Sequence, residues 1–460
     1  MTTVATSSTD LAASLADLLT GHVLLPGTEA FDAAATPFNL AVSNQHLLAV
    51  EAADAADVVT AVRFANQHGV AVSVQATGHG ACAVDRPTIL VLTHLLDELS
   101  IDPVTSSARI GAGVRWERVI EQGAAYGLAG LAGSAPGVGV VGYTTGGGMG
   151  PVARTFGWAS DRVTAFDVVT GDGVLRRVTA SEHPALFWGL RGGKGALGIV
   201  TAVEMELVPL TRVFAGALFF AAADMPTVLH AWAAWSADLP SAASTSVAVV
   251  RLPPLPGVPP VLSGKVAISV RFAWVGDPTE GERLIAPIAA IAPVVLGGLG
   301  VMPYAAMGMI HNDPVDPMPV REDAALLHSL TSDAVETLVG LVGPQAECPQ
   351  VIVELRLMGG ALAQAAEVPS ALSHRDAAYS LLTIGLGVPP VVDAVMAHSQ
   401  ALRAAMGPWS TGGNLPNFAA SADPAELARK YDAATLARLG TLAATYDPHE
   451  VLAASIPFRD

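Results

Sequence analysis

The first candidate for chemistry in this chain is His79, which stands between Gly78 and Gly80. The apolar run just before it, Val70 to Val74, predicts a buried strand, so the imidazole lies just past a strand end. Glycines on both sides leave space around the ring, and a neutral imidazole nitrogen is a competent nucleophile. The pattern therefore predicts a reactive histidine, with an ordinary structural histidine as the alternative.

A glycine-rich stretch from Gly127 to Gly150 is the second candidate, with nine glycines between Gly127 and Gly148. Its run from Gly137 to Gly142 matches the GxGxxG dinucleotide pattern, but the residues before it are small and turn-like, whereas that pattern follows a buried strand. The run from Gly193 to Gly198 matches the pattern too, but it leads into a strand. The pattern therefore does not indicate dinucleotide binding in this chain. Such backbone can still approach a ligand closely and present N–H groups to phosphate. The stretch therefore predicts a phosphate-binding loop, and a plain tight loop is the alternative.

Two charges on an apolar strand are the third candidate. Strand alternation over Val353 to Leu357 puts Ile352, Glu354 and Arg356 on one face. Charges at such positions cost free energy unless they pair with each other or meet a ligand. A Glu354–Arg356 pair, or partners elsewhere in the chain, explains them as well as a role in substrate binding does.

Two lobes follow from the length of the chain and from a change of pattern along it. A length of 460 residues exceeds one ordinary core. Up to about residue 210, short strands alternate with helices and loops. From Thr211, longer strands with alternating apolar residues are separated by longer helices, as in a sheet covered by helices on one face. We predict an α+β fold with domains 1–210 and 211–409 and a C-terminal segment 410–460.

The composition argues against several other classes of function. A formal net charge of −17 disfavours nucleic acid or an anionic membrane as partner. Cys82 and Cys348 are too few for a disulfide framework or a thiolate metal site, and no paired histidine spacing indicates a metal. Glycine and proline break both long uncharged stretches, so neither predicts a transmembrane helix. No secretory signal is evident from Met1 onwards. We expect a cytoplasmic protein, either a monomer or a homodimer.

Four segments, in order along the chain, resemble the motifs of one enzyme family. Residues 75–80 (QATGHG) are similar to its RSGGH segment, and residues 135–150 are similar to its CPTVGxGGHxxGGGxG run. Residues 183–193 resemble its PELFWAxRGG segment, and residues 446–448 resemble its YDPxNxF close. The family is that of the berberine bridge enzymes, within the vanillyl-alcohol oxidase superfamily. The resemblance is nearest to bacterial members of the 6-hydroxy-D-nicotine oxidase type.

The resemblance implies a two-lobe vanillyl-alcohol oxidase-type fold. FAD lies in the lobe built from residues 1–210 and the C-terminal segment, and the other lobe binds substrate on an antiparallel sheet covered by helices. The resemblance also implies a single 8α-histidyl bond from His79 to FAD, because Ala135 stands where some members have a second, cysteinyl bond. Cys82 does not match that position. The implied cofactor contacts are Gln75, Ala76, Thr77, Gly78, His79, Gly80, Gly133, Ser134, Val138, Gly139, Gly142, Tyr143, Gly146, Gly147, Gly148, Gly150, Gly198, Val200 and Asn417.

For catalysis, the resemblance implies that the strand with Glu354 and Arg356 faces the flavin. Tyr143 replaces the family's usual histidine and is a further candidate for the substrate site. Asn417 resembles an asparagine near the flavin ring, and Asn414 is the competing residue. A valine at position 138 goes, within the family, with oxygen as electron acceptor.

The implied function is that of an FAD-dependent oxidase acting on a small molecule. Hydride passes from a C–H next to an amine or hydroxyl to flavin N5, and oxygen then takes the electrons to give hydrogen peroxide. Glu354 and Tyr143 are the candidates for the base that an alcohol substrate requires. The alternatives are a dehydrogenase of the same fold with poor oxygen reactivity, a protein with loosely held flavin, and a binding protein without catalysis.

Overall fold

The computed structural model describes residues 8–254, 257–453 and 458. The first seven residues, on which the expected lack of a secretory signal rests, lie outside the described residues. The described chain combines helices with one mixed and several antiparallel sheets, as the α+β prediction requires.

The first lobe begins with a four-stranded sheet. Its elements are α1 (Ser8–Ala16), β1 (His22–Leu24), α2 (Glu29–Ala35), β2 (His46–Glu51), α3 (Ala55–His68), β3 (Ala71–Gln75) and β4 (Thr88–Leu92). The strand order is β1-β2-β4-β3, and β2, β4 and β3 are parallel. The side chain of Asp54 caps α3, and Gly69 ends it in the left-handed conformation, as predicted. This sheet positions the end of β3, where His79 follows.

A five-stranded antiparallel sheet completes the first lobe. Its elements are β5 (Leu99–Asp102), β6 (Ser107–Gly111), α4 (Trp116–Ala124), β7 (Leu128–Ala129), α5 (Val140–Thr144), α6 (Ala153–Phe156), β8 (Val163–Val169), β9 (Leu175–Thr179), α7 (Pro184–Leu190), β10 (Ile199–Glu206) and β11 (Val208–Pro209). The order of the large sheet is β5-β6-β10-β8-β9, and β7 pairs with β11. The turn predicted at Gly171 to Gly173 joins β8 to β9.

The glycine-rich stretch differs from the prediction of one continuous loop. It contains β7 and the short helix α5. Val140 and Thr144, one helical turn apart, are both fully buried, so tertiary packing on one face outweighs the low helix propensity of glycine.

The second lobe is built on a seven-stranded antiparallel sheet. Its elements are β12 (Arg212–Ala221), α8 (Met225–Ser236), β13 (Ala243–Arg251), β14 (Val266–Trp274), α9 (Pro278–Ala289), β15 (Val294–Pro303), β16 (Val320–Leu327), α10 (Ser332–Val342), β17 (Gln350–Leu357), β18 (Tyr379–Leu386) and α11 (Val392–Ala405). The strand order is β15-β12-β14-β13-β17-β18-β16. The strand β15 lies at one edge of this sheet, and much of it is exposed.

The two faces of this sheet differ in chemistry. One face packs on α8, α9, α10 and α11 through apolar side chains such as Val247, Val270 and Leu355. On the opposite face, Ser246 lies in register between Arg271 and Arg356. A cavity lies between this polar face and residues 149–154 of the first lobe. The sheet therefore presents its charged side chains to the glycine-rich stretch.

The C-terminal segment touches both lobes. After α11 it runs beside β16, where Leu326 N donates to Gly413 O, and continues through α12 (Pro424–Lys430) and α13 (Ala433–Tyr446). It then reaches the first sheet, where Val72 N donates to Val451 O at 2.7 Å. The boundaries at residues 210 and 409 stay predictions. Among the described helices, none has the length and apolar character needed to cross a membrane.

Candidate cofactor and substrate site

His79 stands at the end of the first sheet in a neutral, well-packed state. Its ring stacks on Phe38, with centroids 3.8 Å apart and planes 13° from parallel, and its Nδ1 lies 2.8 Å from Thr77 Oγ1. Burial, helped by the charge of Arg115, lowers the pKa of His79 to about 4. The imidazole is therefore uncharged at neutral pH. Among the described residues, nothing forms a hydrogen bond with its Nε2.

Gly78 is required by the backbone beside this histidine. Its φ is +72°, and a Cβ there would come within 2.5 Å of Pro37 Cα. A side chain at this position would displace the segment that carries Phe38, and with it the surface on which the imidazole stacks.

Glycines of the stretch at 127–150 leave open space next to His79. A Cβ added at Gly137 or Gly142 would meet no atom within 4 Å, and one at Gly139 would lie 3.5 Å from Ala76 Cβ. The structure thus brings the predicted loop against the 75–80 segment. Open backbone beside a nucleophilic imidazole fits a cofactor that has both a phosphate-bearing chain and a site for covalent attachment.

Lys194 is a residue of this site that the sequence reasoning missed. Its Nζ donates to Gly142 O at 3.1 Å and would lie 3.4 Å from a Cβ at Gly80. Burial, and then the charge of Lys430, lowers the pKa of Lys194 to about 8. The signal was a lysine inside a glycine run, Gly193-Lys194-Gly195, which we set aside as a chance pattern match. The ammonium group of Lys194 therefore lies at the edge of the glycine-lined space.

The two competing asparagines lie in different surroundings. Asn417 Nδ2 donates to Tyr143 O at 2.8 Å, and its Oδ1 lies beside Gly146 without a hydrogen-bond partner in the described chain. Asn414 is almost fully buried, and its Oδ1 accepts from Leu415 N. The arrangement favours Asn417 as the residue at the glycine stretch, as predicted.

Tyr143 does not line the cavity with its hydroxyl. Its ring is enclosed by Gly133 and Gly148, where added Cβ atoms would approach within 2.9 and 2.5 Å, and it packs edge-on against Trp116. Burial raises the pKa of Tyr143 well above its ordinary value. The phenol therefore stays protonated, which makes it a donor to a cofactor and a poor base.

Other predicted cofactor residues are spread over the first lobe. Val138 is half-buried on the apolar core, and its carbonyl accepts from Trp116 N at 3.0 Å. Gly147 and Gly148 have φ values of +103° and +82°, which favour glycine. Val200 lies in the core on β10, away from the open glycines. Two of the remaining predicted positions flank strands: Gln75 ends β3, and Gly198 immediately precedes β10. The other two lie in the glycine-rich stretch, Ser134 before α5 and Gly150 after it.

Glu354 is the centre of a buried ionic cluster on the polar face of the sheet. Its Oε1 accepts from Arg271 Nη1 at 2.8 Å, and its Oε2 accepts from Arg356 Nε at 2.6 Å. Burial alone would raise its pKa, but the charge of Arg356 and the contacts with His311 and Arg271 hold the pKa well below its usual range. The alternative of an ion pair is therefore realised. A carboxylate held in this way is a weak proton acceptor.

His311 is a second residue that the sequence reasoning missed. Its Nε2 lies 3.5 Å from Glu354 Oε1, a distance at which a hydrogen bond is weak, and its Nδ1 has no partner among the described residues. Burial lowers the pKa of His311, so the ring is neutral. No sequence spacing links residues 311 and 354, because His311 follows the short helix Tyr304–Ile310 and only tertiary packing brings it to Glu354 on β17.

A cavity separates this cluster from the glycine-rich stretch. Met149 and Gly150 line it on the first lobe, and Ser246, Arg271 and Arg356 line it on the sheet. Within the described part of the chain, no group of three or more histidine, cysteine or acidic side chains could hold a metal ion.

Comparison with known proteins supports the same interpretation. Residues 47–179 match the FAD binding domain family. The (R)-6-hydroxynicotine oxidase of Paenarthrobacter nicotinovorans is 35% identical over 143 residues, which are 31% of this chain and 31% of that protein. The resemblance to the berberine bridge enzyme family is therefore confirmed. The chain aligns with only about a third of the length of the curated relatives that it matches first.

Solved structures of this family share the whole fold. 6-Hydroxy-D-nicotine oxidase from Arthrobacter nicotinovorans superposes with a TM-score of 0.81 at 23% identity, covering 94% of this chain and 96% of that one. A Physcomitrella patens berberine bridge enzyme-like protein gives a TM-score of 0.83 at 19% identity, with coverage of 98% and 99%. The predicted two-lobe vanillyl-alcohol oxidase-type fold is confirmed.

A third solved structure shares the same fold. Glucooligosaccharide oxidase from Acremonium strictum has a TM-score of 0.80 at 19% identity, covers 96% of this chain and 97% of its own, and is described with a 6-S-cysteinyl, 8α-N1-histidyl FAD. The relatives are named as FAD-linked oxidoreductases, oxidases and FAD-dependent monooxygenases. The presence of an FAD-binding domain is confirmed as well.

Proposed function

We propose that this protein is an FAD-dependent oxidase that carries its flavin on a single covalent bond from His79. It oxidises a small molecule at a C–H next to an amine or hydroxyl and passes the electrons to oxygen, giving hydrogen peroxide. The observation that carries the proposal is a neutral imidazole, stacked on Phe38, beside open glycine backbone. FAD, when bound, supplies the hydride-accepting ring.

The residues of the first lobe would hold the cofactor. Thr77 fixes the orientation of the His79 ring through Nδ1, and the backbone around Gly137 and Gly142 leaves room for the dinucleotide. The unpartnered Oδ1 of Asn417 and the ammonium of Lys194 are polar groups that the cofactor would satisfy. Ala135 cannot form the cysteinyl link, which supports one bond rather than two.

His311 is the proton acceptor that the geometry favours for an alcohol substrate. It lines the cavity, is neutral, and has a free ring nitrogen, whereas Glu354 is ion-paired and Tyr143 is enclosed. Glu354, next to its Nε2, would stabilise the protonated ring.

Replacing His311 with Gln should slow flavin reduction by an alcohol about 100-fold or more, because a positioned base contributes that much. The measurement is anaerobic stopped-flow bleaching, with an alcohol that bleaches the wild-type flavin, across pH. In the variant, the rate of flavin reduction should no longer show the pH dependence that protonation of His311 causes. His230→Gln is the control, since His230 also contacts a glutamate, Glu336 at 2.7 Å, but on the helix-covered face. An unchanged rate in His311→Gln would remove His311 from this role.

Oxygen is the proposed electron acceptor, supported by the valine at position 138. The test reduces the purified protein with dithionite without air and then mixes it with air-saturated buffer. An oxidase should recover its oxidised absorbance within seconds and form one peroxide per flavin. Slow recovery would support the alternative, a dehydrogenase of the same fold. Colour that leaves the protein on acid precipitation would contradict the covalent bond.

The remaining proposals concern the setting of the protein. We propose a cytoplasmic monomer or homodimer that binds neither nucleic acid nor membrane. Support comes from the acidic net charge of −17 and from Cys82 and Cys348, both free thiols. Cell fractionation and gel filtration of the native protein test location and assembly.

A further inference from the structure

The cavity between the lobes is cationic, although the whole chain has a net charge of −17. Three guanidinium groups line it, those of Arg154, Arg271 and Arg356. A single carboxylate, that of Glu354, is in contact with two of them. An excess of positive charge at the centre of an acidic protein favours the binding of an anion there.

The positive charges are not balanced by the described residues around them. Arg154 donates to the carbonyl oxygens of Met358, Leu239, Pro240 and Ala243, which satisfy its N–H groups but carry no net charge. The charge of Asp313 reaches Arg356, yet no ion pair forms between them. Of the three cations, two therefore pair with one anion, Glu354, and the third, Arg154, contacts none among the described residues.

Several donors in the cavity also lack partners in the described chain. The hydroxyls of Ser244 and Ser246 and the Nε of Arg271 are buried without a hydrogen bond. Arg356 uses only its Nε, so both of its terminal nitrogens are free of hydrogen bonds to described residues. Ser246 is 4% exposed and Arg271 is 6% exposed, so water does not freely replace the missing partners. Buried polar groups left in this state are typical of a ligand site.

The position of Arg356 connects the cavity to the cofactor site. Its guanidinium carbon lies 5.8 Å from the ring centre of Phe418, the neighbour of Asn417, and the same cavity is lined by Met149 and Gly150. A ligand held by the free edge of Arg356 would therefore sit next to the glycine-rich stretch. A planar anion is the natural match, because two parallel N–H groups bind a carboxylate in bidentate fashion.

We propose that the substrate of this enzyme carries a carboxylate, which Arg356 binds with the help of Arg271 and Ser246. The inference rests on the proposed function for the identity of the reaction. It adds the chemical class of the molecule, a small organic acid. The carboxylate lies on the sheet side of the cavity, so that the rest of the molecule points to the first lobe.

The test titrates the holoprotein with benzoate and with the neutral benzamide, using calorimetry, which does not depend on the flavin. Benzoate should bind saturably, benzamide should bind much more weakly, and Arg356→Met should weaken benzoate about tenfold or more. Arg356→Lys keeps the charge but not the two parallel N–H groups. Its affinity for benzoate should therefore lie between those of the wild type and Arg356→Met. Arg177→Met is the matched control, because Arg177 also pairs with a glutamate but on the exposed surface of the first lobe. Melting temperatures check that each variant is folded.

The outcomes separate this inference from the proposed function. Equal binding of benzoate and benzamide, no binding of benzoate, or unchanged binding in Arg356→Met overturns the carboxylate site, whatever the colour of the protein. Colourless protein that still binds benzoate through Arg356 overturns the flavin proposal and leaves the anion site standing. Yellow protein whose flavin spectrum shifts with benzoate, but not in Arg356→Met, supports both.

Discussion

Replacing His79 with Ala should abolish the covalent flavin completely while leaving the first lobe able to bind FAD reversibly. Wild-type protein should weigh more than its polypeptide by one FAD in denaturing mass spectrometry, and the variant should show the polypeptide mass alone. The reason is that, in the described part of the chain, His79 supplies the neutral ring nitrogen next to the open glycines. The glycine backbone, in contrast, is untouched by the change, so a yellow colour that acid releases is expected.

The matched control for this variant is His68→Ala. His68 also stacks on a phenylalanine, Phe64 at 4.0 Å, but it is exposed and lies at the end of α3. It should keep the adduct. An adduct that survives in His79→Ala would show that another residue forms the bond.

A second variant distinguishes loss of attachment from loss of the binding space. Gly142→Leu places a side chain where the structure has nothing within 4 Å of the Cβ, so the fold should tolerate it while FAD should not fit. Gly340→Leu is the equivalent change in helix α10, again into open space, and should leave the flavin in place. If both leucine variants carry FAD, the glycines of 137–142 do not line the cofactor site.

Local patterns were sufficient to predict the elements around His79 and to indicate this histidine as the candidate for chemistry. The strand before His79, the flanking glycines and the cap of α3 are properties of a few neighbouring residues, so the sequence contains them directly. The stacking of His79 on Phe38 could not be predicted, because that contact depends on how the segment around Pro37 packs against Gly78. The sequence therefore indicates which residue is the candidate for chemistry, but it does not indicate the contacts that position that residue.

The polar cluster of the substrate lobe shows where sequence reasoning stops. Glu354 and Arg356 were identified because they alternate on one strand, but Arg271, 83 positions away, is their neighbour only through the pairing of β14, β13 and β17. His311 joins them from the short helix Tyr304–Ile310 that follows β15. Long-range contacts of this kind have no local signal, so the sequence offers Glu354 as a proton acceptor without showing that two arginines pair with it.

Replacing Glu354 with Gln should destabilise the folded protein by about 3–5 kcal/mol, because it leaves Arg271 and Arg356 without a counter-charge in a buried site. The measurement is the urea midpoint, followed by tryptophan fluorescence, of protein with its flavin attached. The control is Glu204→Gln, since Glu204 also lies between two arginines, Arg109 and Arg177, but on the exposed first-lobe sheet. An exposed pair of this kind should cost about 0.2–1 kcal/mol. Equal losses in the two variants would mean that burial of the cluster does not matter.

The same cluster fixes how stability depends on pH. The pKa of Glu354 is held below that of an unfolded glutamate, about 4.3, so the unfolded chain binds the proton first. The stabilisation is therefore complete above that pH and is lost as the pH falls through the folded-state pKa. Wild-type protein should lose urea resistance more steeply than Glu354→Gln below about pH 4, and parallel losses would contradict the depressed pKa. Combining Glu354→Leu with Arg271→Met leaves one uncompensated cation, Arg356, instead of two, and it should recover part of the stability that Glu354→Gln loses. Recovery in that double variant would show that the loss comes from arginines left without a counter-charge.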